Sequence, residues 1–284
     1  MIVASLIAPT MGGPIHCFIR DPAMSDLPPF WHINAFTSSA DGGNPAGVVM
    51  LDQWPPDARL AEIAREVALP ATAFVGPTSG DVEADFAVCW FSPEQEITLC
   101  GHASLAAGCA LLEQSGDGSV ALATRRSGTI VVQREGASLE VTLPAISTRP
   151  AQLEQAARLI GLGTSEAFRS ELGYNLFVVA SESELRSIAP DFAGLSRLAD
   201  DQFIVTAQGE ETDIASRVFK GGNDASEDSV TGSAHAVLAP YWATRLGRND
   251  MTAHQASARG GDLTLRLDGD RVWVGGQCVT VKRP

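Results

Sequence analysis

The sequence predicts an α+β protein built from two similar halves. Two stretches carry that expectation: Glu227-Asp228-Ser229-Val230-Thr231-Gly232-Ser233-Ala234-His235, and a counterpart far upstream, Leu99-Cys100-Gly101-His102-Ala103-Ser104. Each places polar or ionisable side chains before a Gly-small-Ala run and then enters a helical apolar pattern. That pattern runs through Leu105, Ala106, Cys109 and Leu112 in one case and Ala236, Val237, Pro240 and Tyr241 in the other. The third observation is order. Short strand and helix patterns follow one another alike before each stretch, with Phe91 ten residues ahead of Gly101 and Phe219 thirteen ahead of Gly232. Duplication explains this order, and two unrelated αβ segments would also produce it.

In the first half, residues 32–36 and 47–51 read as short strands around a polar turn at Asp41-Gly42-Gly43-Asn44-Pro45. Residues 57–67 place Leu60, Ile63, Ala64 and Val67 at helical spacing, and Pro70 is expected to stop that helix. Residues 86–91 form a strand leading through Ser92-Pro93 to the Cys100-Gly101-His102 element. A hairpin over 129–133 and 139–143 turns across Glu135-Gly136. Residues 144–150, with two prolines and Ser147-Thr148, suggest a linker. The second half then gives a helix over 151–160, a strand over 175–180, a helix around 183–188 and a strand over 202–206. Arg217-Val218-Phe219, a polar loop and the Thr231-Gly232-Ser233 helix follow. A hairpin over 263–274, turning at Asp268-Gly269, closes the order.

Composition narrows the class. The 284 residues suffice for two ordinary domains or one large one. A content of 45% hydrophobic and 19% charged residues is the balance of a globular protein with a core. The net charge of −14 argues against nucleic acid or an anionic membrane as partner, because both need clustered Lys and Arg. A helix terminus acts locally, so a small anionic substrate stays compatible. The five cysteines, Cys17, Cys89, Cys100, Cys109 and Cys278, are odd in number and scattered, without a CxxC pair or Cys/His metal spacing. Neither a disulfide framework nor a zinc site is expected, and a reducing cytoplasm fits best. No apolar run reaches the roughly 18 residues of a transmembrane helix. Residues 1–30 open with Ile2-Val3-Ala4-Ser5-Leu6-Ile7 but no preceding basic residue. They read as a partly disordered extension rather than a secretory signal, with Met24 a second candidate start.

Several blocks in fixed order give the chain a family resemblance. They are Gly43-Asn44-Pro45-Ala46-Gly47-Val48-Val49, Leu69-Pro70-Ala71-Thr72-Ala73-Phe74-Val75, and Phe91-Ser92-Pro93 with Glu96 and Leu99-Cys100-Gly101-His102-Ala103. The Asp228 stretch follows, then Gln255, Ser257, Arg259-Gly260-Gly261 and Asp270-Arg271-Val272. Together they resemble the phenazine-biosynthesis isomerase-like (PhzF-like) family, relatives of diaminopimelate epimerase, over residues 32–281. The resemblance implies two pseudo-symmetric domains, each a barrel-like β-sheet around a central helix. The expected boundaries are 31–146 and 147–284, with the last strand a candidate to pack on the first domain. It further implies an active site in the cleft between them, no cofactor, and often a homodimer. The implied activity moves a proton along a conjugated small acid; epimerase relatives invert a stereocentre with two opposed thiols. The family's usual catalytic glutamate directly precedes Thr-Ala-Phe. Here that position is Ala71, which cannot accept a proton.

Removing a proton beside a carboxylate creates an enolate-like charge that needs donors already aimed at it. Free N–H groups at a helix start attract anions. Gly101 with Ala103, and Thr231 with Gly232 and Ser233, are therefore the expected substrate cradle, although such glycines also serve tight helix packing. Asp228 matches the family's catalytic aspartate and is the expected acid/base, with capping of the following helix as its competing role. Glu227 either supports Asp228 from behind or is a solvated charge, and the second is the favoured reading. His102 is suited to donate to substrate or shuttle a proton near neutral pH, whereas His235 is expected to pack inside its helix. Cys100 adjoins a helix start whose dipole favours thiolate; it either opposes Asp228 as a second base or is a small buried residue. Asn44 either binds substrate or holds its turn, and Thr72 is a similar candidate. Glu96 either supports the site or joins Glu94 in a solvated acidic face. Cys89 and Cys109 read as core, and His16, His32 and His254 have no supporting context.

Three functions are compatible with these residues. The first is a cofactor-independent isomerase of a small carboxylate-bearing metabolite. The second is an epimerase or racemase using Cys100 and Asp228. The third is a catalytically retired member that binds a ligand or partner, as Ala71 suggests.

Overall fold

The computed structural model describes residues 27–80, 82–163 and 165–284, so most of the expected N-terminal extension lies outside the described residues. Of that extension, Leu27 and Phe30 pack against the hydrophobic cluster around Leu60 and Ile63. The first half runs β1 (Trp31–Ala35), β2 (Asn44–Met50), α1 (Asp57–Val67), β3 (Ala71–Gly76), β4 (Phe86–Phe91), β5 (Glu96–Ile97), α2 (Gly101–Ser115), β6 (Ser119–Thr124), β7 (Thr129–Glu135) and β8 (Ser138–Pro144). Next come β9 (Arg149–Pro150), α3 (Glu154–Ile160), β10 (Glu166–Arg169), β11 (Tyr174–Val178), α4 (Glu182–Ser187), α5 (Phe192–Leu195) and β12 (Gln202–Gln208). The chain closes through β13 (Ile214–Lys220), β14 (Glu227–Asp228), α6 (Gly232–Leu246), β15 (Asp250–Gln255), β16 (Gly261–Asp268), β17 (Arg271–Gly276) and β18 (Cys278–Lys282).

Local chemistry accounts for the helices. α1 buries Leu60, Ile63, Ala64 and Val67 on one face and carries Asp57 in its first turn. It ends earlier than Pro70 demands: Ala68 takes φ 53° and returns its N–H to the Ala64 carbonyl. α2 and α6 are buried on nearly every side, which fits their runs of Ala, Gly and Leu. α6 contains Pro240, which has no N–H to give the carbonyl of Ala236. The Ile146 N–H, from the segment after β8, takes that carbonyl instead at 3.0 Å.

The two halves are wired alike. In the first, β1 and β2 pair antiparallel, β2 and β3 parallel, β3 and β4 antiparallel, β4 and β6 parallel, and β6, β7 and β8 antiparallel. The second half repeats each pairing, in the same sense, through β10, β11, β12, β13, β15, β16 and β17. α2 packs against the strands of the first barrel, and α6 against β15, β16, β17 and β8. β8 and β17 then join antiparallel with Val141 opposite Val274. Those residues hold equivalent places in their halves, so the local two-fold axis passes through that pair.

The tails are exchanged. β9, which follows β8, pairs with β10 of the second half. β18, which follows β17, pairs with β1 of the first, Lys282 opposite His32 and Cys278 opposite Ala35. One hydrophobic cluster therefore spans both central helices, with satellite clusters under α1 and under α3 to α5.

Candidate active site

Both central helices begin at one seam. A Cβ on Gly101 would sit 2.8 Å from the Gly232 Cα, and one on Gly232 would sit 3.0 Å from the Gly101 Cα. Only glycine at both positions lets the helix starts approach this closely. Neither N-cap side chain, Cys100 or Thr231, turns back to cap its own helix. Two positive helix ends thus meet where Cys100, His102, Thr231 and Ser233 are all buried. Ala103 stands in the first turn of α2 behind them, fully buried.

Register decides which groups are counterparts. Across β4 and β5, Trp90 faces Ile97 and Phe91 faces Glu96. Across β13 and β14, Val218 faces Asp228 and Phe219 faces Glu227. The N-caps Cys100 and Thr231 each follow three residues later. Asp228 therefore corresponds to Ile97, and Cys100 to Thr231. Thiol and carboxylate meet at the seam without being equivalent by the pseudo-symmetry.

Asp228 is gripped from both halves. Asn44 Nδ2 donates to Asp228 Oδ1 at 2.8 Å and to the Val230 carbonyl at 2.8 Å. Thr231 Oγ1 donates to Asp228 Oδ2 at 2.6 Å. Gln255 Nε2 donates to the Asp228 carbonyl at 2.7 Å, while its Oε1 accepts the Thr231 N–H at 2.8 Å. The carboxylate thus accepts from the N-cap hydroxyl, and it is not itself the cap of α6. Asn44 is held there because Arg259 donates to the carbonyls of Gly43 and Gly42 at 2.9 and 2.7 Å, and the Gly43 N–H donates to Gly260 O. Gly43 itself adopts φ 64°, and a Cβ would meet the Ala35 carbonyl at 2.3 Å.

Burial dominates the electrostatics. It pushes the Cys100 thiol up to about 12, and the nearby Asp228 charge adds to the rise. Burial thus outweighs the helix dipole at Cys100, which favours its reading as a small buried thiol. Cys100 Sγ lies 3.6 Å from His102 Nδ1. Burial also lowers the His102 imidazole, opposed by Asp228 and assisted by Lys220, and no hydrogen-bond partner for its buried Nε2 is found among the described residues. Tyr174, at the start of β11, is buried, and burial pushes its phenol up against an opposing influence of Ser233.

Other candidates fall elsewhere. Thr72 is buried, but its side chain faces Gly47 and Val67 on the α1 side of the sheet, away from α2. Ala71 is on the other face, packed in the central cluster. Glu227 is no solvated charge: Arg217 holds it at 2.8 and 3.0 Å and also donates to the Leu185 and Ile188 carbonyls that end α4. Glu96 is held by Arg125 at 3.1 Å and Arg126 at 3.5 Å. His235 is fully buried, its Nδ1 2.8 Å from the Thr231 carbonyl. His254 pairs with Asp262 at 2.7 Å. Tyr174, Gln255 and Arg217 were given no role by sequence reasoning. The strand register that brings them here has no local pattern, although Gln255 stood within a recognised block. Among the described residues, no group of three or more His, Cys, Asp or Glu could hold a metal, and no helix is long and apolar enough to cross a membrane.

The family model for phenazine biosynthesis-like protein matches residues 33–283. This chain belongs to that family. An uncharacterized isomerase of Pseudomonas aeruginosa is 41% identical over 248 residues, covering 87% of this chain and 94% of the relative. A phenazine biosynthesis-like domain-containing protein of Homo sapiens is 31% identical, covering 89% and 97%. Among solved structures, a PhzF family protein of Enterococcus faecalis superposes with TM-score 0.79 at 34% identity, covering 89% of this chain and 96% of that one. A hydroxyproline epimerase of Agrobacterium vitis, solved with bound trans-4-hydroxy-L-proline, shares the fold at TM-score 0.60 and 13% identity, covering 89% and 90%. The phenazine biosynthesis-like chain thus has the α+β, diaminopimelate epimerase-like fold.

Proposed function

We propose that this protein is a cofactor-independent isomerase that moves a proton on a small carboxylate-bearing metabolite held between the starts of α2 and α6. One observation carries the reading: the Asp228 carboxylate, fixed by Asn44 of one half and Thr231 of the other, stands beside two abutting helix N-termini. The N–H groups of those first turns bind the substrate carboxylate and stabilise the charge that develops as its neighbouring carbon loses a proton. Each Asp228 oxygen has a second lone pair free to take that proton and return it elsewhere on the conjugated system. With its thiol protonated, Cys100 donates to His102 Nδ1; the imidazole then carries its hydrogen on Nε2 and donates to the substrate. Cys100 thus acts as an orienter of His102, which disfavours the two-base epimerase. Asp228 is only half-buried, so substrate approaches the seam from its side, while Cys100, His102, Thr231 and Ser233 lie buried behind it.

Incubation of candidate unsaturated and amino acids in deuterated water tests the proposal. Deuterium uptake next to the carboxylate, or along its conjugated system, is expected with the wild type and abolished in Asp228→Asn. Exchange that survives this substitution removes Asp228 from the role. An inert wild type that gains exchange in Ala71→Glu would mark a retired enzyme instead.

A further inference from the structure

Strand register carries a row of polar side chains up to the seam. Tyr174, Gln202 and Lys220 face one another across β11, β12 and β13. Residues directly opposite share one face of a sheet. Their neighbours show which face it is: Leu176, Ile204 and Val218 pack in the central cluster, and Phe177, Phe203 and Phe219 in the outer one. Asp228 faces Val218, so Lys220 is its diagonal neighbour on the same face. Lys220 also stands near enough to His102 for its charge to help lower that imidazole. In the first half Thr72 faces Phe91 as Phe203 faces Phe219, which makes Ala46, Ala71 and Ser92 the equivalent row. The two alanines bring no polar side-chain atom, and the Ser92 hydroxyl accepts from the Glu94 and Gln95 N–H groups of its own turn. The seam is therefore walled unequally, apolar at Ala71 and polar at its counterpart Gln202.

We propose that this row selects a dicarboxylate substrate, Lys220 and Gln202 binding its second carboxylate while the helix starts hold the first. The assignment rests on the seam being the substrate site. Asp224 accepts one hydrogen of the Lys220 ammonium at 2.7 Å and fixes its direction, which leaves two hydrogens for a ligand. The lysine side chain keeps 32% of its surface exposed, so an incoming anion reaches it. Gln202 Oε1 is buried, and it has no hydrogen-bond partner among the described residues. Turned about its last bond, the amide presents its NH2 there, a donor for a carboxylate oxygen. Tyr174, buried at the far end, closes the row. A compact ammonium beside an amide suits a charged acceptor with two oxygens. An acid that ends in a methyl group instead desolvates both donors without giving either a partner.

Calorimetric titration of the full chain with trans,trans-muconate and with sorbate tests this. The two acids share a conjugated chain, and sorbate ends in a methyl where muconate carries its second carboxylate. The wild type should bind muconate at least about tenfold more tightly than sorbate. Lys220→Met and Gln202→Leu should each bring that ratio towards one. Equal affinities in the wild type, muconate that does not bind, or a preference that survives both substitutions overturns the assignment. If Lys220→Met fails to fold, the ratio in Gln202→Leu decides. Deuterium exchange keeps the two readings apart. Muconate that is preferred and bound but never exchanged sinks the isomerase and leaves the row standing. Exchange into both acids at equal affinity sinks the row alone.

Discussion

At the scale of single residues, Asn44 does more than any neighbour, because both its amide hydrogens cross between halves. Asn44→Ala leaves the Val230 carbonyl and one Asp228 oxygen without a donor, at a cost of about 1–3 kcal/mol. Urea unfolding should show that loss, and deuterium exchange should fall at least about tenfold. His235 gives a pH signature. Burial holds its imidazole down to about 4, against 6.5 when exposed. Between those values the unfolded chain binds the extra proton, so stability rises with pH across the window and is lost as pH falls through it. The full effect is about 3 kcal/mol. His235→Asn keeps a donor for the Thr231 carbonyl and should flatten denaturation midpoints measured from pH 7 to pH 4. If the slope is unchanged, His235 is not its source. Asp228 was legible in the sequence because it sits in a local motif. Its true counterpart, Ile97, was not, because only strand register makes the two equivalent.

At the scale of elements, local patterns served well in two places. The limits expected for α1 and β4 match the observed ones, since amphipathic spacing and a short apolar run are local signals. β3, β6 and β15 were given no element by the sequence, and the last strand was expected to pack on the first domain without stated bounds. β3 is buried throughout and shows no alternation, while β18 exists because β1 is there to receive it. Pro240 is another case in which the partner lies far away. Its missing N–H frees the Ala236 carbonyl for Ile146, so the helix is docked to the segment joining the halves through its own defect. Pro240→Ala restores a competing donor, and the Ile146 amide should then exchange faster by at least about fivefold in hydrogen-exchange NMR. An unchanged Ile146 would mean that the proline has no part in docking.

At the scale of the whole molecule, the exchanged strands β9 and β18 make each half depend on the other. A chain stopped after Gln277 removes β18, the outer partner of β1, together with the Lys282 ammonium 4.4 Å from the Phe30 ring. Its melting temperature should fall by about 10 °C or more, far beyond the effect of trimming a loose tail. A melt within a degree or two of the intact chain would show that β18 is dispensable. The same exchange sets a timetable for synthesis. β1 emerges from the ribosome early, yet its outer edge finds its partner only when β18 follows. At ordinary elongation rates that wait lasts about ten to fifty seconds. Throughout it an unpaired edge is available to any neighbouring nascent chain. Only a chain translated through its last strand can close its first barrel.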